Sequence, residues 1–272
     1  MDSDLSRRCI TKARELTRLY QQAGPPYNLS ELRAQYKILE VRERPLNGDA
    51  RLFAEKDGFV IEVNSMFPRV RRRLSLAHEV GHLILNECSG EDLSYSGHSD
   101  AEFENLCNQI AGELLVPDWA LRIHLDSNPV FDHWDNMLTA DTVLRAAATF
   151  EVSVEVMARR MFRDLCLAPN RIAVVWRYTE NRKNSRTTKQ LRITAAWQST
   201  ENAFFVPLNK TVSAQSVVFR TYETGKHGSG REIIDFGSAK REFLVDAAAF
   251  PSFSLGGNIP PTRAVLSLLT PA

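Results

Sequence analysis

His78-Glu79-Val80-Gly81-His82 stands inside the proline-free run Arg73–Leu85, and that placement limits what this part of the chain can become. The run has helical periodicity. Residues four apart on an α-helix lie one above the other, so His78 and His82 point the same way. Two imidazole nitrogens can then share one Zn²⁺, and Glu79, one step round the helix, can reach a water held there. Zinc brings the pKa of such a water towards neutrality, and a carboxylate beside it can take up and return the proton. The plainer alternative is an amphipathic helix with two histidines on a half-buried face. A third ligand decides between them.

A catalytic zinc site takes three protein ligands and keeps one position open. The best source of the third is a second helical pattern over Ala101–Val116, capped by Asp100 and stopped by Pro117. Phe103, Leu106, Ile110 and Leu114 mark its apolar stripe. Glu104 and Asn108 share one flank at i,i+4, so one can bind metal while the other hydrogen-bonds a ligand histidine from behind. Glu102 and Glu113 compete for the role but have no polar partner placed that way, and each reads as a solvated surface carboxylate. Glu104 is the expected ligand.

Several separated motifs agree in order and spacing: Tyr27-Asn28-Leu29-Ser30-Glu31-Leu32, Gly58-Phe59-Val60-Ile61-Glu62-Val63-Asn64, Arg71–His82, Glu104-Asn105-Leu106-Cys107-Asn108 and Glu113-Leu114-Leu115-Val116-Pro117. Together they resemble the ImmA/IrrE family of zinc metallopeptidases, over residues 5–167. In that family the two motif histidines and the glutamate of an E-x-x-[AC]-N element hold zinc, and the motif glutamate is the base. The resemblance therefore implies His78, His82 and Glu104 as ligands and Glu79 as base. Cys107 stands where many members have alanine, and Leu-Val-Pro where many have Leu-Met-Pro. The implied substrate is a helix-turn-helix transcriptional repressor, whose cleavage derepresses a stress, DNA-damage, mobile-element or antiphage operon. Members from antiphage signalling operons respond to single-stranded DNA, which makes such DNA the expected activator. The competing reading is a DNA-binding regulator with a non-catalytic zinc site; a third is a general hydrolase of small peptides.

At 272 residues and 43% hydrophobic content the chain can build two cores. The expected class is α+β: a mainly helical zincin-like metallopeptidase domain with a small β-sheet over 1–138, a helical pair over 139–168, and a sheet-rich regulatory domain over 169–272. The GAF type of that last domain is expected by family analogy alone. No apolar stretch approaches the roughly 20 residues that span a bilayer. Met1-Asp2-Ser3-Asp4 lacks the features of a secretory signal, and Cys9, Cys88, Cys107 and Cys166 form no C-x-x-C pair. Free thiols in a reducing, cytoplasmic setting follow.

The overall charge of +1 hides a split. Residues 170–272 hold 14 Lys+Arg against 7 Asp+Glu, a balance of +7 that leaves −6 for residues 1–169. Either the second half meets a polyanion such as single-stranded DNA, with Trp176, Trp197, Phe204, Phe205 and Tyr222 available for stacking, or surface charges merely segregate.

Strands are expected over 38–44 and 50–64, with Lys56-Asp57-Gly58 as the hairpin turn. Arg69, Arg71, Arg72 and Arg73 read as a solvated helix start. Two helices over 139–165, capped by Thr139 or Asp141 and by Ser153, resemble a helix-turn-helix whose second helix exposes Glu155, Arg159, Arg160 and Arg163; a packing pair is the commoner reading. Beyond 170, strands are expected over 171–178, 191–198, 203–207, 212–221, 231–236, 241–246 and 263–269. Arg182–Lys189 reads as a basic hairpin loop, and Gly225–Gly230 as a mobile tip holding Lys226 and His227. Residues 88–100 read as a flexible crossing between the ligand helices, where Tyr95 or His98 can donate a hydrogen bond to the transition state. A thiolate reaching the zinc would silence the enzyme, and Cys88, in that crossing, is favoured over Cys107 as such a latency switch. Cys9 and Cys166 read as core.

Overall fold

The computed structural model describes residues 3–20, 24–90, 101–127, 138–183, 186–199, 205–236, 240–252 and 262–272. The chain divides into two compact units. One comprises residues 1–127 with 148–153 and 255–257, the other residues 128–147, 154–254 and 258–272.

In the first unit α1 (Ser3–Thr17) buries Cys9, Ala13 and Leu16, the stripe its spacing predicts. After a 3₁₀ turn capped by the Asn28 side chain, which accepts from the Ser30 amide at 3.0 Å, comes the short α2 (Leu32–Gln35). Then β1 (Ile38–Arg44), β2 (Ala50–Glu55) and β3 (Gly58–Asn64) make a sheet of order β1-β3-β2. β2 and β3 form the expected hairpin, with β1 added parallel to β3. The central strand β3 is the most buried, and its Glu62 reaches Arg44 at 2.5 Å.

α3 (Arg69–Ser89) follows, ended by Gly90 at φ +72°, a left-handed conformation that suits glycine. Arg69 is exposed, as the sequence suggested, but Arg71, Arg72 and Arg73 are only partly so and each is ion-paired. Arg71 makes a bidentate pair with Asp49 at 2.7 and 2.9 Å, Arg72 pairs with Glu43, and Arg73 lies 2.9 Å from Glu151 while donating to the Tyr27 carbonyl at 3.0 Å. Cations at a helix N-terminus are disfavoured by the macrodipole, and these carboxylates offset that cost. α4 (Ala101–Leu115) packs along α3, and α5 (Asp118–Asp126), a helix with no counterpart in the sequence reading, starts directly after Pro117.

Glu113 of α4 corrects an expectation: it is fully buried, not solvated. Its carboxylate accepts from the Asp118 amide at 3.2 Å, holding the start of α5, and lies 3.5 Å from Arg14 of α1. No described helix is long and apolar enough to cross a membrane.

The second unit is a five-stranded sheet with helices on both faces. β4 (Ile172–Lys183), β5 (Arg186–Gln198), β6 (Gly228–Asp235), β7 (Lys240–Ser252) and β8 (Thr262–Pro271) are antiparallel in the order β5-β4-β8-β7-β6. Strands β4 and β5 run to Lys183 and from Arg186, so the Arg182–Lys189 loop is mostly ladder. One face carries Ile172, Val174, Trp176, Val245 and Val265 against α8 (Val217–Thr224). The sequence suggested a strand over 212–221, because valine and threonine favour strands. The helix forms instead through its ends: Ser216 accepts from the Phe219 amide at 3.0 Å, Glu232 accepts from the Val217 amide, and Gly225 closes it at φ +71°. The tip after Gly225 is anchored as well, with His227 Nε2 2.8 Å from Asp246.

α6 (Ala140–Thr149) and α7 (Val154–Arg159), the latter running into a π-helical turn over Arg160–Asp164, are the expected helical pair. Thr139 caps the first, its hydroxyl accepting from the Thr142 amide at 3.2 Å. The second helix is not an exposed reading face. Arg160 is 2% exposed, Arg159 lies 3.5 Å from Asp164, and Glu155 pairs with Arg177 of β4; Arg163 alone of the four is exposed. These charges are spent inside the unit, which favours the packing role. Cys166 is exposed, at φ +49°, and not in a core.

Candidate metal centre

α3 and α4 approach closely enough that a Cβ on Gly81 would meet the Cys107 carbonyl oxygen at 3.0 Å and its Cα at 3.2 Å. Glycine between the two histidines therefore sets the distance across which α4 can present side chains. His78 Nε2 and His82 Nε2 lie 3.2 Å apart. Glu104 answers from α4, with Oε2 3.1 Å from His78 Nε2 and Oε1 3.7 Å from His82 Nε2. Among the described residues, His78, His82 and Glu104 are the one group of three or more such side chains whose ligand atoms all lie within 4.8 Å of one another.

These separations test whether the residues suit zinc. Bonds of ~2.0–2.1 Å at tetrahedral angles put neighbouring ligand atoms ~3.3 Å apart. Distances of 3.1, 3.2 and 3.7 Å surround that value. Two nitrogens and one carboxylate are also a donor set used by zinc hydrolases, with a fourth position left for solvent. Glu104 is 43% exposed at its side chain against 18% for His78 and 25% for His82, so the group opens on the glutamate side.

The far nitrogens of both rings are held by the residues next to each other on α4. His78 Nδ1 lies 3.2 Å from Asn108 Oδ1, and the Asn108 amide donates to the Glu104 carbonyl at 2.8 Å. His82 Nδ1 lies 3.5 Å from Cys107 Sγ. Such contacts fix ring orientation and tautomer, leaving Nε2 with its lone pair facing the metal position. The Asn108 role was legible from its i,i+4 relation to Glu104; the Cys107 contact was not, because a family alanine at that position signals only packing.

Burial, and after it the nearby Glu104 charge, push the Glu79 carboxyl up to about 7. His82 is shifted down by burial and then by His78, while Glu104 pulls it back. A neutral His82 is what metal ligation requires.

The structure does not bring every suspected residue here. Glu102 is exposed and outside the group. Cys88 belongs to the last turn of α3, not to a flexible crossing, and six residues of helix turn it away from His82. Cys107 touches the back of His82 and not the Nε2 side. Neither thiol is placed to displace a water at the metal, which corrects the latency switch. Tyr95 and His98 lie outside the described residues.

A model of the Peptidase_M78 family, described as the IrrE N-terminal-like domain, matches residues 34–162. These residues form an IrrE N-terminal-like domain. Its span takes in the hairpin, the metal group and the helical pair. No curated protein matches the chain in sequence. Among solved structures, a Mycobacterium tuberculosis transcriptional regulator shares the fold at a TM-score of 0.61 and 14% identity, covering 97% of this chain and 75% of the other.

Proposed function

We propose that the chain is a zinc-dependent endopeptidase that cleaves a helix-turn-helix transcriptional repressor and so releases a stress, DNA-damage or antiphage operon. The convergence of His78, His82 and Glu104 with a basic group beside them carries this reading. When bound, zinc would supply Lewis acidity and an acidified water. His78, His82 and Glu104 would hold it; Asn108 and Cys107 keep the two rings turned for that task. Glu79, with its proton affinity raised towards neutrality, takes a proton from the attacking water and delivers it to the departing amine. A structural zinc usually closes with four protein ligands and has no use for such a base, which favours the peptidase over a non-catalytic regulator.

The second unit is proposed as the regulatory part, of GAF type, switched by single-stranded DNA in a cytoplasmic setting. Its +7 balance over residues 170–272 supports a polyanion. So does the stacked pair Tyr178 and Tyr222, ring centroids 5.1 Å apart, at the end of the α8 face, where Tyr178 is 38% exposed. Phe205 is 74% exposed and available, whereas Trp176 is fully buried with its indole N–H on Ser267 at 2.7 Å and belongs to the core. Phe204 lies outside the described residues.

The test is to incubate the zinc-loaded full chain with the repressor encoded beside it, with unstructured casein, and with and without single-stranded DNA. Cleavage of the repressor alone, stimulated by the DNA and lost in Glu79→Gln, is the expected result. Casein cut equally well would make it a general peptidase, and DNA binding without any cleavage would favour the regulator.

A further inference from the structure

We propose that β6 is an interface between two copies of this chain: its open edge pairs antiparallel with the β6 of a second molecule, about a two-fold axis at Ile233. The two edges of the five-stranded sheet are not alike. At β5 the following segment closes the edge. The Ile193 amide donates to the Lys210 carbonyl at 2.9 Å, the Asn209 amide donates back to the Ile193 carbonyl at 2.9 Å, and Arg192 bridges to Thr211. At β6, among the described residues, the backbone of residues 228–234 hydrogen-bonds to β7 alone, and a cleft of about 470 Å³ runs beside residues 230–235. Unpaired amides and carbonyls at a sheet edge are a template for another strand, and proteins that must stay single blunt them with lysine, proline or a bulge. Residues 228–235 contain neither lysine nor proline, and their register with β7 is unbroken.

The strand's own side-chain pattern selects a second copy as the occupant. Arg231, Ile233 and Asp235 alternate on the exposed face of β6. In an antiparallel pair centred on Ile233, Arg231 faces the partner's Asp235 and Asp235 faces the partner's Arg231. One cross-strand ion pair is thus made twice, on either side of an Ile–Ile contact. Ile233 is 72% exposed in the single chain, and Leu244, diagonal to it on β7 and 47% exposed, extends the apolar patch. Lys240 stands opposite Asp235 on β7, so charges alternate across the joint: Arg231, the partner's Asp235, the partner's Lys240. The two-fold registers on either side are worse. Centred on Glu232, the pairing sets that carboxylate against the partner's Glu232; centred on Ile234, it sets Ile233 against the partner's Asp235. The interface rests on neither the metal group nor the peptidase reading.

Analytical ultracentrifugation of the full chain, at concentrations up to about 0.1 mM, reads the oligomeric state. The parent should sediment as a monomer–dimer equilibrium. Ile233→Lys, which brings two ammonium groups to the axis, should weaken dimerisation about tenfold or more, because the axis counts each lost pair twice. Arg231→Asp and Asp235→Arg should each be monomeric, since each sets like charges opposite one another in both pairs. Mixed in equal amounts, the two should form a heterodimer, in which each pair again unites a carboxylate with a guanidinium. The present partners of these side chains, Glu242 at 3.4 Å and Lys240 at 3.6 Å, form exposed pairs worth little, so the substitutions cost the fold little. A parent that stays monomeric over this range would overturn the proposal and leave the edge to an extended segment of another protein. A dimer that survives Ile233→Lys, or a mixture of the two charge variants that yields no heterodimer, would overturn it as well.

Discussion

Glu79 separates binding from chemistry at the scale of one residue. Glutamine keeps its shape and removes its charge, so Glu79→Gln should hold zinc like the parent while cleavage falls by at least two orders of magnitude, about the range of general base catalysis. Zinc analysis beside a cleavage assay reads both, and retained cleavage would exclude this base. The raised proton affinity gives a second handle in the metal-free protein. Between the usual carboxyl value of 4.5 and about 7 the folded state keeps a proton that the unfolded chain gives up. That contribution is full at low pH and lost as pH rises through about 7. Glu79→Gln lacks the loss, so the melting temperature of the metal-free variant minus that of the metal-free parent should grow between about pH 5 and about pH 8. A difference that stays flat would show that burial of Glu79 carries no such penalty. What was legible at this scale followed from helical spacing alone: His78 and His82 at i,i+4, and Glu104 with Asn108 on one flank. Contacts between helices were not legible, and so the Cys107 contact with His82 emerged only in the fold.

At the scale of elements, two glycines set how closely the chain packs. A Cβ on Gly58 would lie 2.1 Å from the Lys37 carbonyl oxygen, an overlap with backbone that cannot swing away. Gly58→Ala should therefore destabilise the hairpin by about 1–3 kcal/mol or more, the scale of overpacked sites, and lower the melting temperature; an unchanged melting curve would contradict the β1 to β3 join. Gly81→Ala gains about 1 kcal/mol of helix propensity, yet meets the Cys107 backbone at 3.0 Å. Since that neighbour is backbone, helix separation should win, with weaker zinc affinity and a lower melting temperature; tighter zinc binding would show that α3 and α4 have room to spare. Most strands were legible from alternation, but the expected strand over 203–207 is none at 205–207, the turn end of the β4–β5 ladder read as a loop, and α8 was not foreseen. Val217, Val218 and Thr221 read as strand, while Ser216, Glu232 and Gly225 at its ends decide for helix. Glu113 and Arg160 were misread as surface for a related reason: their partners Asp118 and Arg14, and the fold around Arg160, are set by tertiary packing that no local pattern records.

For the whole molecule, the account joins a metallopeptidase-like domain to a sheet-rich part whose residues 170–272 carry a balance of +7. Single-stranded DNA should bind the full chain with an affinity that falls steeply as salt rises, because each neutralised phosphate releases counterions. Tyr178→Ala should weaken that binding, by about 1–3 kcal/mol if a base stacks there, and binding that ignores salt would remove the DNA from the scheme. The organisation into a helical first unit and a sheet-rich second was legible from composition and alternation. The resemblance to the family came from motifs between Tyr27 and Pro117, and the family model matches residues 34–162. All of it depends on the metal. Zinc content of the purified full-length chain, beside His82→Ala and Glu104→Ala, is the direct measurement. About one zinc per chain in the parent, none in His82→Ala and a severe loss in Glu104→Ala is the predicted result; a zinc-free parent reconstituted without uptake, or full occupancy in Glu104→Ala, would contradict it.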